Sequence, residues 1–136
     1  MSEVANLRAL LAEVRTIAII GLSANVARAS NEVAGFLVSR GYTCIGVNPG
    51  LAGQSVRGIP VVARLADVPV PIDMVDIFRA SEAVSGIVDE ALALEPRPSV
   101  IWMQLGVIDP AAKARAEAAG LTVVMDHCPK IVLVGS

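Results

Sequence analysis

The chain has 136 residues and a formal net charge of −2, and its arginines are scattered, which disfavours nucleic acid as a partner. Its apolar fraction is 54% and its mean hydropathy is +0.65, although aromatic residues make up only 3%. Glycine, proline or charge interrupts every apolar stretch before the roughly 18 residues that a membrane span needs, so no membrane segment is predicted. The first residues lack a signal-peptide pattern, and a cytoplasmic location is expected.

In chain order, strands and helices are predicted to alternate within a single domain over residues 1–136. An amphipathic helix is predicted at about 2–14, further helices at 31–40, 81–94 and 110–119, and strands at 16–21, 43–47, 59–62, 72–78, 99–103 and 121–125. The apolar run at 131–134 is not assigned to an element. Alternation of this kind predicts an α/β fold with a doubly wound, mainly parallel sheet and helices on both faces.

Few residues of this chain are suited to catalysis or metal binding. Cys44 and Cys128 are far apart, the single histidine is His127, and no group has the spacing of metal ligands, so no metal site is predicted. Cys44 lies in an apolar run typical of a core position. Adjacent residues on a strand point to opposite faces, so His127 and Cys128 are not expected to act together as base and nucleophile. No catalytic residues are predicted.

The loop after the first strand is the strongest candidate for a binding site. A strand, a short loop and a helix beginning near Ser30 would direct free N–H groups and the positive end of a helix dipole at an anion. The loop departs from the dinucleotide fingerprint because Ser23 replaces the second glycine, and it lacks the P-loop lysine. Gly21, Ser23, Arg28 and Ser30 are therefore interpreted as a phosphate cradle. An ordinary connection with a solvated arginine is the alternative.

Two other strand ends carry residues suited to a nucleotide, because ligands of doubly wound sheets lie at the carboxyl ends of the strands. Asn48 and Pro49 follow the second strand, where NAD sites usually carry an acid, so NAD is disfavoured. Phe78 and Arg79 could stack on a flat ring or line a phosphate groove. Each pair also has a plain structural interpretation, as a turn in the first case and as a core phenylalanine with a solvated arginine in the second.

The end of the fifth predicted strand contains the only tryptophan of the chain. Trp102 is either a core residue or part of a ligand wall, with Gln104 at the rim as a neutral donor and acceptor. Gly106 permits close approach of the backbone.

Taken in order, these motifs resemble a known family. They are Ile20-Gly21-x-Ser23, Arg28-x-Ser30, Gly41-Tyr42, Val47-Asn48-Pro49, Ile77-Phe78-Arg79, Trp102-x-Gln104-x-Gly106 and Met125-Asp126-x-Cys128. The chain resembles the small stand-alone CoA-binding domain proteins, which are similar to the N-terminal CoA-binding domain of the succinyl-CoA synthetase alpha subunit. The resemblance covers roughly residues 16–130. His127 departs from the arginine common at that position in the family, and no acid follows Lys130 at the usual spacing.

The resemblance implies a three-layer, Rossmann-like fold that holds coenzyme A or acyl-CoA. It implies CoA phosphates at Gly21, Ser23, Arg28 and Ser30, the nucleotide at Asn48 and Pro49, adenosine beside Phe78 and Arg79, and pantetheine along Trp102, Gln104 and Gly106. The synthetase carries its phosphohistidine on a separate domain that this chain lacks, so ligase activity is not implied.

Three functions follow from these observations. The first is a non-catalytic CoA or acyl-CoA binding module that acts as a carrier, as a sensor or as a detached partner of an acyl-CoA enzyme. The second is an NAD-binding redox sensor or oxidoreductase. The third is a small CoA-dependent enzyme that uses Cys128 or Asp126 together with a partner chain. A homodimer is expected, because a small apolar domain leaves helix faces to cover.

Overall fold

The computed structural model describes residues 3–134, which form a sheet covered by helices on both faces. The strands are β1 (Thr16–Ile20), β2 (Thr43–Val47), β3 (Ser55–Val56), β4 (Ile59–Val62), β5 (Met74–Ile77), β6 (Val100–Met103) and β7 (Thr122–Val124). The helices are α1 (Glu3–Ala12), α2 (Ala29–Ser39), α3 (Val84–Leu92), α4 (Pro110–Ala118) and α5 (Pro129–Leu133). None of the helices between residues 3 and 134 is long and apolar enough to cross a membrane.

The strand order is β3-β4-β2-β1-β5-β6-β7, and every pairing is parallel except that of β3 with β4. From β1 the chain builds β2 and β4 on one side and then crosses to build β5, β6 and β7 on the other. This confirms the predicted three-layer, Rossmann-like, doubly wound sheet. The reversal of direction lies between β1 and β5, and such a point leaves a crevice outside the carboxyl ends of the strands.

The period-2 alternation of the strands divides the core into two apolar layers. On β1, Ile17 and Ile19 face the layer that contains α1, α2 and α5, whereas Ala18 and Ile20 face the layer that contains α3 and α4. Both faces of the central strand are therefore apolar. This explains why the strand appears in the sequence as a continuous isoleucine-rich run rather than as an alternating pattern.

The start of α2 differs from the prediction. The helix begins at Ala29, its N-cap residue is Arg28, and Ser30 and Asn31 lie inside the first turn. Ser30, the residue just before the predicted helix at 31–40, is therefore not its N-cap residue, and its hydroxyl accepts a hydrogen bond from the backbone N–H of Ser23 at 3.0 Å. A tertiary contact within the loop has taken the place of the local cap.

Other boundaries differ by smaller amounts. The predicted loop after β2 contains β3, and the unassigned run near the C-terminus forms α5, which packs against α1 and α2. The predicted helix at 81–94 begins as a 3₁₀ turn over Ser81–Ala83. α4 begins at Pro110 as predicted, and Asp109 caps it by accepting a hydrogen bond from the N–H of Ala112 at 3.0 Å. Ser2, in the first predicted helix, lies outside the described residues.

Candidate functional site

A crevice of about 450 Å³ opens where β1, β5 and β6 end and α2 begins. Seven of the eleven predicted ligand residues line it: Gly21, Ser23, Arg28, Ser30, Phe78, Arg79 and Gln104. The wall also contains Ala29, Ala80, Leu105 and Val107, which were not predicted. Small and aliphatic side chains do not by themselves indicate a ligand site in a sequence. These four residues are identified as part of the wall only because the structure places them beside the predicted ones.

The loop between β1 and α2 is held by a chain of side-chain hydrogen bonds. Asn31 Nδ2 donates to the carbonyl oxygen of Ser23 at 2.9 Å, and Arg57 Nε donates to Asn31 Oδ1. The Ser30 hydroxyl accepts from Ser23 on the same loop. The part played by Arg57 was not predicted, because this residue lies 26 positions from Asn31 in the chain. Its backbone has a φ of 52°. The loop therefore has a fixed shape before any ligand arrives.

The crevice has a positive electrostatic character. Arg28 and Arg79 both line it, and no ion pair to either of them is formed within residues 3–134. The Arg28 side chain also makes no capping hydrogen bond, so the first N–H groups of α2 are left without a side-chain cap. Two guanidinium groups and an uncapped helix N-terminus at one cavity are groups of the kind that favour an anionic ligand.

Gly21 is required by the close approach of β1 and β5. Its φ is +87°, and a Cβ at this position would lie 2.4 Å from the carbonyl oxygen of Phe78. The backbone N–H of Gly21 donates to Val47 at 2.9 Å, and that of Phe78 donates to Ile20 at 2.9 Å. The floor of the crevice is thus formed by backbone, and a side chain at position 21 would force the ends of β1 and β5 apart.

We expect Gly21→Ala to lower the free energy of unfolding by about 2 kcal/mol or more, since strain from a positive φ adds to a clash with backbone. Gly58→Ala is the matched control, because Gly58 has a φ of +79° but no atom within 4 Å of an added Cβ. Urea denaturation of both variants would isolate the steric contribution. Equal losses in the two variants would show that the contact with Phe78 has no energetic weight.

Asn48 and Pro49 lie beside the crevice rather than in its wall. Asn48 Nδ2 donates to the carbonyl oxygen of Leu22, and its Oδ1 accepts from the N–H of Gly50, both at 2.9 Å. Pro49 lines a smaller cavity of about 170 Å³, and Arg79 borders both this cavity and the crevice. The two spaces are therefore adjacent along the carboxyl edge of the sheet.

Trp102 and Gly106 are not brought to the crevice wall. Trp102 is fully buried, and its Nε1 donates to the carbonyl oxygen of His127 at 2.9 Å. The backbone N–H of Gly106 donates to Asp126 Oδ1 at 2.7 Å. These bonds tie the loop after β6 to the segment after β7. Of the two positions considered for Trp102, the structure therefore shows the one in the core. Gln104 is also buried, but it lies at the boundary of the crevice.

His127 and Cys128 point to different surroundings, but both lie beyond the end of β7, so strand alternation is not the reason. The Nε2 of His127 lies 2.6 Å from a carboxylate oxygen of Glu3 on α1, whereas Cys128 is buried in the core. Within the described part of the chain, no group of three or more histidine, cysteine, aspartate or glutamate side chains could hold a metal ion.

The fold and the crevice define a doubly wound α/β protein with a crevice lined by two arginines at its topological switch point. The chain belongs to the CoA binding domain family, whose profile matches residues 15–134. It is 34% identical over 127 residues to the uncharacterized protein YneT of Bacillus subtilis (strain 168), covering 93% of this chain and 91% of YneT.

Two solved structures share the fold over nearly their whole length. A Thermus thermophilus protein described as cell-free ID.343 has a TM-score of 0.88 and 33% identity, with 96% of each chain covered. A hypothetical protein from Pyrococcus horikoshii OT3 has a TM-score of 0.87 and 27% identity, covering 98% of this chain and 94% of that one.

Proposed function

We propose that this protein binds coenzyme A or acyl-CoA as a non-catalytic module, a carrier or sensor, with the phosphates held at the loop between β1 and α2. The observation that carries the proposal is the convergence of Arg28, Arg79 and the uncapped N-terminus of α2 on one crevice. Membership of the CoA binding domain family supports the identity of the ligand. Phosphate is the group that these donors suit best.

The adjacent cavities suggest how the nucleotide would lie. The phosphates would meet Gly21, Ser23, Arg28 and Ser30, and adenosine would extend past Arg79 toward the smaller cavity beside Pro49. Trp102 and Gly106 would act on pantetheine only through the loop that they position, and Asn48 would act by holding the β2 turn.

NAD is the less favoured ligand. A dinucleotide site of this fold usually places an acid at the end of β2 to accept from the ribose 2′-hydroxyl. Asn48 occupies that position, and both ends of its carboxamide are bonded to the main chain of Leu22 and Gly50.

We expect CoA to raise the melting temperature of the protein, and NAD to raise it little or not at all. At about 100 times its dissociation constant, a ligand adds roughly 2.7 kcal/mol to the free energy of unfolding, which thermal denaturation detects. Adenosine without phosphates is the control for non-specific binding of the base. Stabilisation by NAD and not by CoA would overturn the proposed function in favour of a redox role.

The proposal includes a homodimer. Val26, Val4 and Val38 are 72%, 45% and 41% exposed, and exposed apolar side chains of this kind are what a second copy would cover. Sedimentation equilibrium with and without CoA would measure the assembly state.

A further inference from the structure

A second cavity, of about 480 Å³, adjoins the crevice on the side of α2 and α5. The two spaces share Ala29, Phe78, Gln104 and Leu105 as a common wall. A ligand that occupies the crevice therefore needs only to pass these residues to reach the second space. We refer to this second space as the apolar cavity.

The apolar cavity differs sharply in chemistry from the crevice. Beyond the shared wall it is lined by Val33, Cys128, Ile131 and Val134, with no arginine or serine. Its two charged residues, Glu32 and Lys130, form an ion pair with each other. A hydrogen bond from Lys130 lowers the pKa of the Glu32 carboxyl, which keeps the pair charged and mutually engaged. A polar chain segment would find few partners in this space, whereas an aliphatic one would be removed from water.

Gln104 marks the boundary between the two spaces. Its side chain is 5% exposed, and its Oε1 is buried without a hydrogen-bond partner. Such an oxygen is costly unless a ligand N–H donates to it. The arm of CoA ends in an amide N–H, then two methylenes, then sulfur. An amide donating to Gln104, with phosphates at the arginines behind it, would direct the sulfur into the apolar cavity.

We propose that the apolar cavity receives the acyl chain of an acyl-CoA, so that aliphatic thioesters bind more tightly than free CoA. This inference rests on the proposed function, and it names the class of ligand which that function serves. Three observations support an acyl chain as the occupant. The two spaces are continuous, the Gln104 Oε1 between them has no hydrogen-bond partner, and the walls change from cationic in the crevice to aliphatic in the apolar cavity.

Isothermal titration of the full chain with CoA, acetyl-CoA and hexanoyl-CoA tests the inference. We expect hexanoyl-CoA to bind at least about tenfold more tightly than acetyl-CoA, because four additional methylenes leave water. Equal affinity for all three would overturn the inference and leave the proposed function standing. Failure of CoA and both thioesters to bind would overturn the proposed function as well.

A variant separates the acyl chain from the pantetheine arm. Ile131→Asp places a charge in the apolar cavity at a side chain that is 64% exposed, so folding is expected to survive, and urea denaturation checks this. We expect affinity for CoA to change less than about twofold while the advantage of hexanoyl-CoA is lost. Val70→Asp, at a 44% exposed side chain outside both spaces, is the control and should retain that advantage. An equal loss for CoA and hexanoyl-CoA in Ile131→Asp would show that the cavity holds pantetheine, which overturns the inference.

Discussion

Replacing both Arg28 and Arg79 with alanine is expected to weaken CoA binding by about 100-fold or more. Both guanidinium groups line the crevice, and neither forms an ion pair within residues 3–134, so neither has a structural partner to lose. A hydrogen bond to a charged group contributes about 1.5–3 kcal/mol, and each 1.4 kcal/mol is a factor of ten in affinity. Isothermal titration of the double variant measures the loss.

The controls separate phosphate contacts from changes in the fold. Both arginines are exposed, so the urea midpoint of the double variant should stay close to that of the native protein. Arg97→Ala removes an exposed arginine outside the crevice and should leave CoA affinity unchanged. Arg28→Ala alone should weaken CoA binding but leave binding of adenosine little affected, because Arg28 lines the crevice and not the smaller cavity toward which adenosine would extend. Equal losses for CoA and adenosine in Arg28→Ala would refute phosphate pairing by this side chain.

The stability of the native protein is expected to fall as pH rises from acid toward neutral, and Asp76→Asn is expected to remove much of that fall. Asp76 is fully buried at the centre of β5, and both carboxyl oxygens lack a hydrogen-bond partner. Burial raises the pKa of this carboxyl well above its ordinary value of 3.8. The folded protein therefore keeps a proton that the unfolded chain loses above about pH 4, and stability falls by up to about 1.4 kcal/mol per pH unit.

The difference between native protein and Asp76→Asn should thus grow with pH above 4, with the variant the more stable at neutral pH. Urea denaturation at several pH values measures it. Cys44 does not contribute to this pH dependence, because its thiol stays protonated over the same range. Burial is the main cause and the charge of Asp76 the second, and together they raise the pKa of the Cys44 thiol to about 12. Asp67→Asn, which breaks only an exposed pair with Arg64 at 3.5 Å, is the control for loss of a surface carboxylate. A pH-independent difference for Asp76→Asn would contradict the raised pKa of the buried carboxyl.

The location of the crevice could be predicted because it depends on local features. Gly21 follows a strand that is apolar on both faces. Ser23 and Arg28 come next along the chain, and Ser30 lies in the first turn of the helix after them. In a doubly wound sheet the residues after successive strands meet at one edge, so Phe78 and Arg79 were expected near Gly21. The structure brings these residues to one cavity.

Trp102 shows why the remaining predictions were less accurate. It lies at the end of a strand beside predicted ligand residues, but it faces the core and not the crevice. A large aromatic side chain suits either environment, and only packing against α5 and the segment after β7 decides between them. The N-cap of α2 is similar, since Ser30 could have capped the helix but is bonded to Ser23 instead.

The sequence alone determined the alternation of strands and helices, the parallel sheet and the residue types of the first loop, from which phosphate binding is predicted. These depend on periodicity, on glycine and proline, and on residue types within a few positions of one another. Tertiary structure decided the fixing of that loop by Arg57, the burial of Asp76 and the joining of a cationic crevice to an aliphatic cavity. Each of these brings together residues far apart in the chain, and no local pattern records which distant side chains will share a space.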